Sequence, residues 1–167
     1  MKRILILVLI IFVITGCSSN TEKNNKIDNK IENITTLSCY HETYLFHSKK
    51  SVEHIISINK DNKITNYKYI EKYYEFDDDN DFSMICEGAP EEAENNNKLY
   101  NYLNEVANCN KDNKEVTISD TYNISKLETK NKIPTQEIKD NLDDNFILDV
   151  EGFKNAIGTK GYVCKEI

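Results

Sequence analysis

The 167-residue sequence predicts an α+β fold, an antiparallel β-sheet with helices packed on one face. Two observations carry this reading. Strand-like alternation, rich in β-branched residues and tyrosine, fills residues 35–76 and returns at 114–122. Between and after those stretches, apolar residues recur at helical spacing of three and four.

Thr35–Phe46 reads as the first strand from its β-branched and aromatic content. Val52, His54, Ile56 and Ile58 alternate with Glu53, Ser57 and Asn59, the period-two pattern of a half-buried strand. Asn59-Lys60-Asp61-Asn62-Lys63 supplies a turn, and Ile64–Phe76 follows as a third strand, completing an antiparallel meander. Within Asp79–Glu94, Phe82, Ile85 and Ala89 keep helical spacing, and Pro90 is expected to kink or restart the helix. Asn95–Asn97 reads as a turn between two helices. Leu99, Tyr102, Leu103, Val106 and Ala107 predict the second of them, over about residues 97–108.

Val116, Ile118 and Asp120 alternate with Thr117 and Ser119, so Lys114–Tyr122 reads as a strand, with Asn123–Leu127 a candidate extension. Pro134 suits a first helical turn, and Ile138 and Leu142 predict a short helix to about Asp143. Asp149 is placed to cap another, with Val150, Phe153 and Ile157 on one face and Gly158 at its end. Gly161-Tyr162-Val163-Cys164 is expected to close the sheet as a short edge strand.

The N-terminus carries an address. Lys2 and Arg3 precede an apolar run, Ile4–Ile14, that is shorter than the roughly 20 residues a membrane-spanning helix requires. Ile14-Thr15-Gly16-Cys17 resembles the lipobox of bacterial lipoproteins. The resemblance implies cleavage of residues 1–16 as a signal peptide and acyl chains on Cys17. It also implies a lipid anchor on the outer face of the cell membrane. Residues 17–34 then read as a polar tether, too poor in large apolar side chains to offset the entropy of ordering it. Residues 35–167 form the single predicted domain. Abundant Asn, Lys and Ile, all encoded by AT-rich codons, point to a low-GC bacterium.

Composition excludes some functions. Cleavage before Cys17 lowers Lys+Arg from 21 to 19 against 28 Asp+Glu, leaving a formal charge near −9. That opposes nucleic-acid binding, which needs a basic footprint, and leaves membrane attachment to the acyl chains. Cys39, Cys86, Cys109 and Cys164 imply two disulfides in an exported chain, with three connectivities open. They lack the close pairs of a zinc site.

Candidate chemistry is thin. His41 and His47 share strand parity but lie about 20 Å apart along an extended strand, and Leu45 stands where a zinc-protease motif beginning His41-Glu42 needs its second histidine. An EF-hand loop from Asp77 would need Gly and Glu where the chain has Phe82 and Gly88, so Asp77–Asp81 reads as an acidic loop before a helix. Tyr67, Tyr69, Tyr73 and Tyr74 read as packing residues rather than a ligand platform. No catalytic residue, metal or cofactor is assigned.

Leu37-Ser38-Cys39 opening a three-strand meander, together with Phe153-Lys154-x-x-Ile157 and the ending Gly161-Tyr162-Val163-Cys164-Lys165, resembles the YehR-like small lipoproteins, a family without an assigned activity. The resemblance implies an α+β lipoprotein domain with one cysteine at each end, and so a Cys39–Cys164 disulfide. Cys86 and Cys109 are then left for each other, which a single straight helix would prevent. This pairing predicts a helical hairpin at Asn95–Asn97, or a break near Pro90. The expected function is a non-enzymatic binding or accessory domain for an unknown protein or small-molecule ligand. The alternatives are an envelope hydrolase with carboxylates around Glu71, Glu75 or Asp77, and a structural surface protein.

Overall fold

The structure, a computed structural model, describes residues 34–45 and 47–167. The predicted signal segment, Cys17 and the tether up to residue 33 lie outside the described residues, as does Phe46 at the end of the first predicted strand.

Strands β1 (Thr35–Leu45), β2 (Ser48–Ile58) and β3 (Ile64–Tyr74) form the expected antiparallel meander. The β2–β3 turn is built by Asn59, whose side-chain oxygen accepts from the Asp61 and Lys63 amides at 3.0 Å each. Asn62 in the same turn adopts φ 57°, a conformation asparagine tolerates. Helix α1 (Asp79–Leu99) follows, then β4 (Leu103–Asn110), β5 (Glu115–Tyr122), α2 (Gln136–Asp140), α3 (Val150–Gly158) and β6 (Val163–Glu166). All neighbours pair antiparallel in the order β4-β5-β3-β2-β1-β6. The α+β expectation is met.

The register puts the residues that pack against all three helices on one face of the sheet. Cys39, Ile56, Tyr67 and Tyr122 share that face with Val116, and they meet two hydrophobic clusters. The larger is roofed by Ile138, Phe153 and Ile157 from α2 and α3 and by the buried Leu127, Ile133, Leu142 and Leu148. The smaller lies under α1, where Phe82, Cys86 and Ala89 meet Val116. Asp149 caps α3, accepting from the Gly152 amide at 3.0 Å, and Asp78 caps α1, accepting from Asn80 and Asp81 at 2.7 and 2.9 Å. Gly161 adopts φ +87° and lies so close to the His41 ring that a Cβ there would sit 3.1 Å from it, so both backbone and space select glycine.

One prediction fails clearly. Residues 97–108 do not form a helix, and Asn95–Asn97 is not a turn; α1 runs through Pro90 to Leu99, and β4 begins at Leu103. The helical hairpin inferred from the cysteines is therefore absent as well. The cause is an ambiguous period. Leu103 and Ala107 also sit on the same side of a strand, with Glu105 and Cys109, while Asn104, Val106 and Asn108 point to solvent. Eight consecutive pairings with β5 select the strand. Pro90 is tolerated on the exposed side of α1, between the buried Cys86, Ala89 and Ala93. Smaller differences are that Ile124–Lys126 is a 3-10 turn rather than a strand extension, and that Pro134 precedes the α2 cap Thr135.

The domain's four cysteines form two disulfides, Cys39–Cys164 and Cys86–Cys109. Cys39 and Cys164 are direct cross-strand partners of β1 and β6, with Cα atoms 4.0 Å apart. The other bond ties α1 to β4 across 5.4 Å, a helix-to-strand geometry in place of the expected hairpin. No helix among the described residues is long and apolar enough to cross a membrane.

Candidate functional site

The two hydrophobic clusters leave a polar strip on the helix-bearing face. Its members follow from strand parity: His54 and Lys50 on β2, Tyr69, Glu71 and Tyr73 on β3, Asp120 on β5 and Glu105 on β4. Glu71 is the hub. Its carboxylate accepts from Lys50 Nζ at 2.6 Å and from the Tyr73 hydroxyl at 2.8 Å, and the Tyr69 hydroxyl donates to it as well. Burial pushes the Glu71 carboxyl up, but those three donors outweigh it and hold it below the usual carboxylate range.

Asp120 has the opposite environment. It stands directly opposite Tyr69 on one side and Glu105 on the other. Its Oδ1 is buried without a hydrogen-bond partner among the described residues. Burial first, then the nearby charges of Glu105 and Glu71, push its carboxyl up to about 7. Glu105 is 8 % exposed and accepts from the Asn96 side chain at 2.8 Å. At the other end of the strip His54 is buried, its Nδ1 3.0 Å from the Tyr67 hydroxyl, which in turn meets Thr135 Oγ1 at 2.8 Å. Burial drives the imidazole down to about 4, so His54 is neutral at physiological pH.

Two carboxyl groups pushed apart in this way resemble an acid and a base in waiting. Access argues otherwise. Both Glu71 oxygens are already engaged, and neither carboxylate lines the cavities that open beside Asn104, Tyr74 and Asp149.

The residues singled out in the sequence are dispersed. Glu75 pairs with Lys49 at 2.8 Å, and Asp77 and Asp81 approach His47 at 3.9 and 3.7 Å, so neither Glu75 nor Asp77 joins Glu71. His41 bonds the Gly161 carbonyl, His54 is buried and His47 is exposed. Among the described residues no three His, Cys, Asp or Glu side chains group as a metal site. Tyr67, Tyr69 and Tyr73 face the helices, whereas Tyr74 faces away from them beside Tyr40 and Tyr44. Its hydroxyl and that of Tyr40 both donate to Glu42, at 2.5 and 3.0 Å. Asp120 was the overlooked member of the strip. Its signal was present, because it shares the apolar parity of Val116, Ile118 and Tyr122, where a carboxylate is out of place.

No protein-family model, curated protein or solved structure matches the chain.

Proposed function

We propose that this chain is an exported lipoprotein, cut before Cys17 and held at the outer face of the cell membrane by acyl chains, whose α+β domain is a binding or accessory module. The observation that carries the reading is the pair of disulfides in the folded domain. Such bonds persist in oxidising compartments, and their formation leaves Cys17 as the one cysteine available for lipid. The lipobox and the likeness to the YehR-like lipoproteins support the same address. The binding role is favoured over hydrolysis by the saturation of Glu71, whose two carboxylate oxygens are held by Lys50, Tyr69 and Tyr73.

Labelling cells with a palmitate analogue tests the anchor: the chain incorporates label, and Cys17→Ala abolishes it. Unchanged labelling of the variant removes the lipid anchor. Crosslinking on intact cells tests the module, which is expected to capture a partner or ligand in a fold-dependent way. A second reading, an envelope hydrolase with Asp120 as acid and Glu71 as base, draws on the raised Asp120 carboxyl. It requires a hydrolytic activity of the domain that both Asp120→Asn and Glu71→Gln abolish.

A further inference from the structure

A cavity of about 450 Å³ lies where β3 and β4 begin and β5 ends, away from the polar strip. Its size is that of a small-molecule site. Its chemistry is unlike the rest of the chain. Among the described residues no acidic side chain lines it, and its one charged residue is Lys126. Asn66, Asn101, Asn104 and Asn123 contribute amide groups, and Tyr102 an aromatic ring. The floor contains the buried Tyr122.

The strand register explains why the amides are available. Asn104 and Thr121 are cross-strand partners on the helix-free face, and Asn66 lies on that same face of β3. Asn66, Asn101 and Asn104 are exposed, and their side chains make no hydrogen bond to another described residue. Each amide offers two donors and an acceptor. The tyrosine groove elsewhere on this face, about 410 Å³ between Tyr40 and Tyr74, contrasts with it. There the hydroxyls are engaged by Glu42; the rings do not distinguish the two, since Lys72 lies over Tyr74 at 5.7 Å and Lys132 over Tyr102 at 5.0 Å.

We infer that the asparagine-lined cavity is a binding site for a neutral saccharide. A sugar presents hydroxyls that both donate and accept, which free amides match on each count, and an apolar C–H face that packs on an aromatic ring such as Tyr102. A cationic ligand would find no carboxylate in the lining, and a polyanion would find one lysine. The inference rests on the binding reading above and gives it a ligand class.

The test is a titration of the detergent-solubilised full chain with maltose, cellobiose and di-N-acetylchitobiose, followed by amide NMR. Inorganic phosphate serves as the anionic probe. Saturable shifts are expected at the Asn66 and Asn104 side chains and around residues 102–104 and 121–123 for at least one disaccharide. Asn66→Ala and Asn104→Ala, exposed positions whose loss spares the core, are each expected to weaken binding about tenfold. Glu53→Gln, in the tyrosine groove, leaves it unchanged. No response to any of the three sugars overturns the inference, as does a response to phosphate alone. Sugar shifts confined to the Tyr40–Tyr74 groove also overturn it while sparing the binding module. Failure of the crosslinking or palmitate experiments, by contrast, strikes the proposed function and not the pocket.

Discussion

The two hydrophobic clusters beneath the sheet are of unequal quality, and each contains one end of a disulfide. The larger joins thirteen buried residues, among them Tyr67, Phe153 and six isoleucines, drawn from strands, helices and the 123–149 connection. The smaller has four, Phe82, Cys86, Ala89 and Val116. Helix α1 is 21 residues long yet buries only Phe82, Cys86, Ala89 and Ala93. Two alanines and a cysteine remove little apolar area from water, so hydrophobic burial alone holds this helix weakly. Specific ties compensate: the Cys86–Cys109 bond, and an amide clasp in which Asn97 accepts from the Glu105 amide at 2.7 Å and donates to its carbonyl at 2.8 Å. That clasp also occupies backbone groups on the outer edge of β4, a sheet edge otherwise open to strand pairing. Crosslinks and side-chain clasps thus matter most locally where packing is thin, and most globally where they close a long loop.

The comparison can be broken by experiment. Cys39→Ser with Cys164→Ser opens a loop spanning 125 residues and is expected to cost about 5 kcal/mol, read as a lowered denaturant midpoint for the whole domain. Cys86→Ser with Cys109→Ser opens a 23-residue separation and is expected to cost about 3 kcal/mol. Here the position of the damage matters more than its size. Amide exchange should accelerate in α1 and β4 while β1 and β2 stay protected, and equal acceleration everywhere would refute the division into two clusters.

Asp120 lies between the clusters and sharpens the boundary. Its folded carboxyl is raised from 3.8 to about 7 by burial, then by Glu105 and Glu71, with a smaller push from Glu92, while a hydrogen bond from Tyr122 works against them. The folded chain therefore holds a proton that the unfolded chain releases, so this group's contribution makes stability fall as pH rises from about 4 to 7, then level off. Asp120→Asn should flatten that slope and stabilise the domain at pH 8 by about 1–2 kcal/mol, a figure discounted for the solvent that reaches the side chain. Thermal unfolding at pH 5 and 8 of both proteins checks it; an unaltered slope in the variant assigns the slope to other groups. The smallest effect is expected from Asn97→Ala, about 1 kcal/mol, with faster exchange at the Glu105 amide as its local signature.

Much of the architecture was legible because it is written in local pattern. Alternation marked β2 and the β5 segment, turn chemistry marked Asn59–Lys63, and Asp149, Phe153 and Ile157 announced α3 together with its cap. Prediction failed at residues 97–108, where Leu103 and Ala107 satisfy a strand as well as a helix and the choice rests on a partner strand. The candidate site was only partly visible. Glu71 was named for its charge, but its neighbours Asp120 and Glu105 come from strands 34 or more residues away, aligned by a register that no single segment contains.

What the sequence determined by itself was the class of fold, the order of most elements, the acidic charge and the four domain cysteines, all consequences of residue chemistry and short-range period. Tertiary structure alone decided that α1 runs through Pro90, that Cys86 reaches a strand rather than a second helix, and that the tyrosines divide between two faces. It also brought Asn66 and Asn104 to one cavity. Each of these depends on which strand lies beside which, and long-range pairing is set by the burial of the whole sheet rather than by any window of the chain.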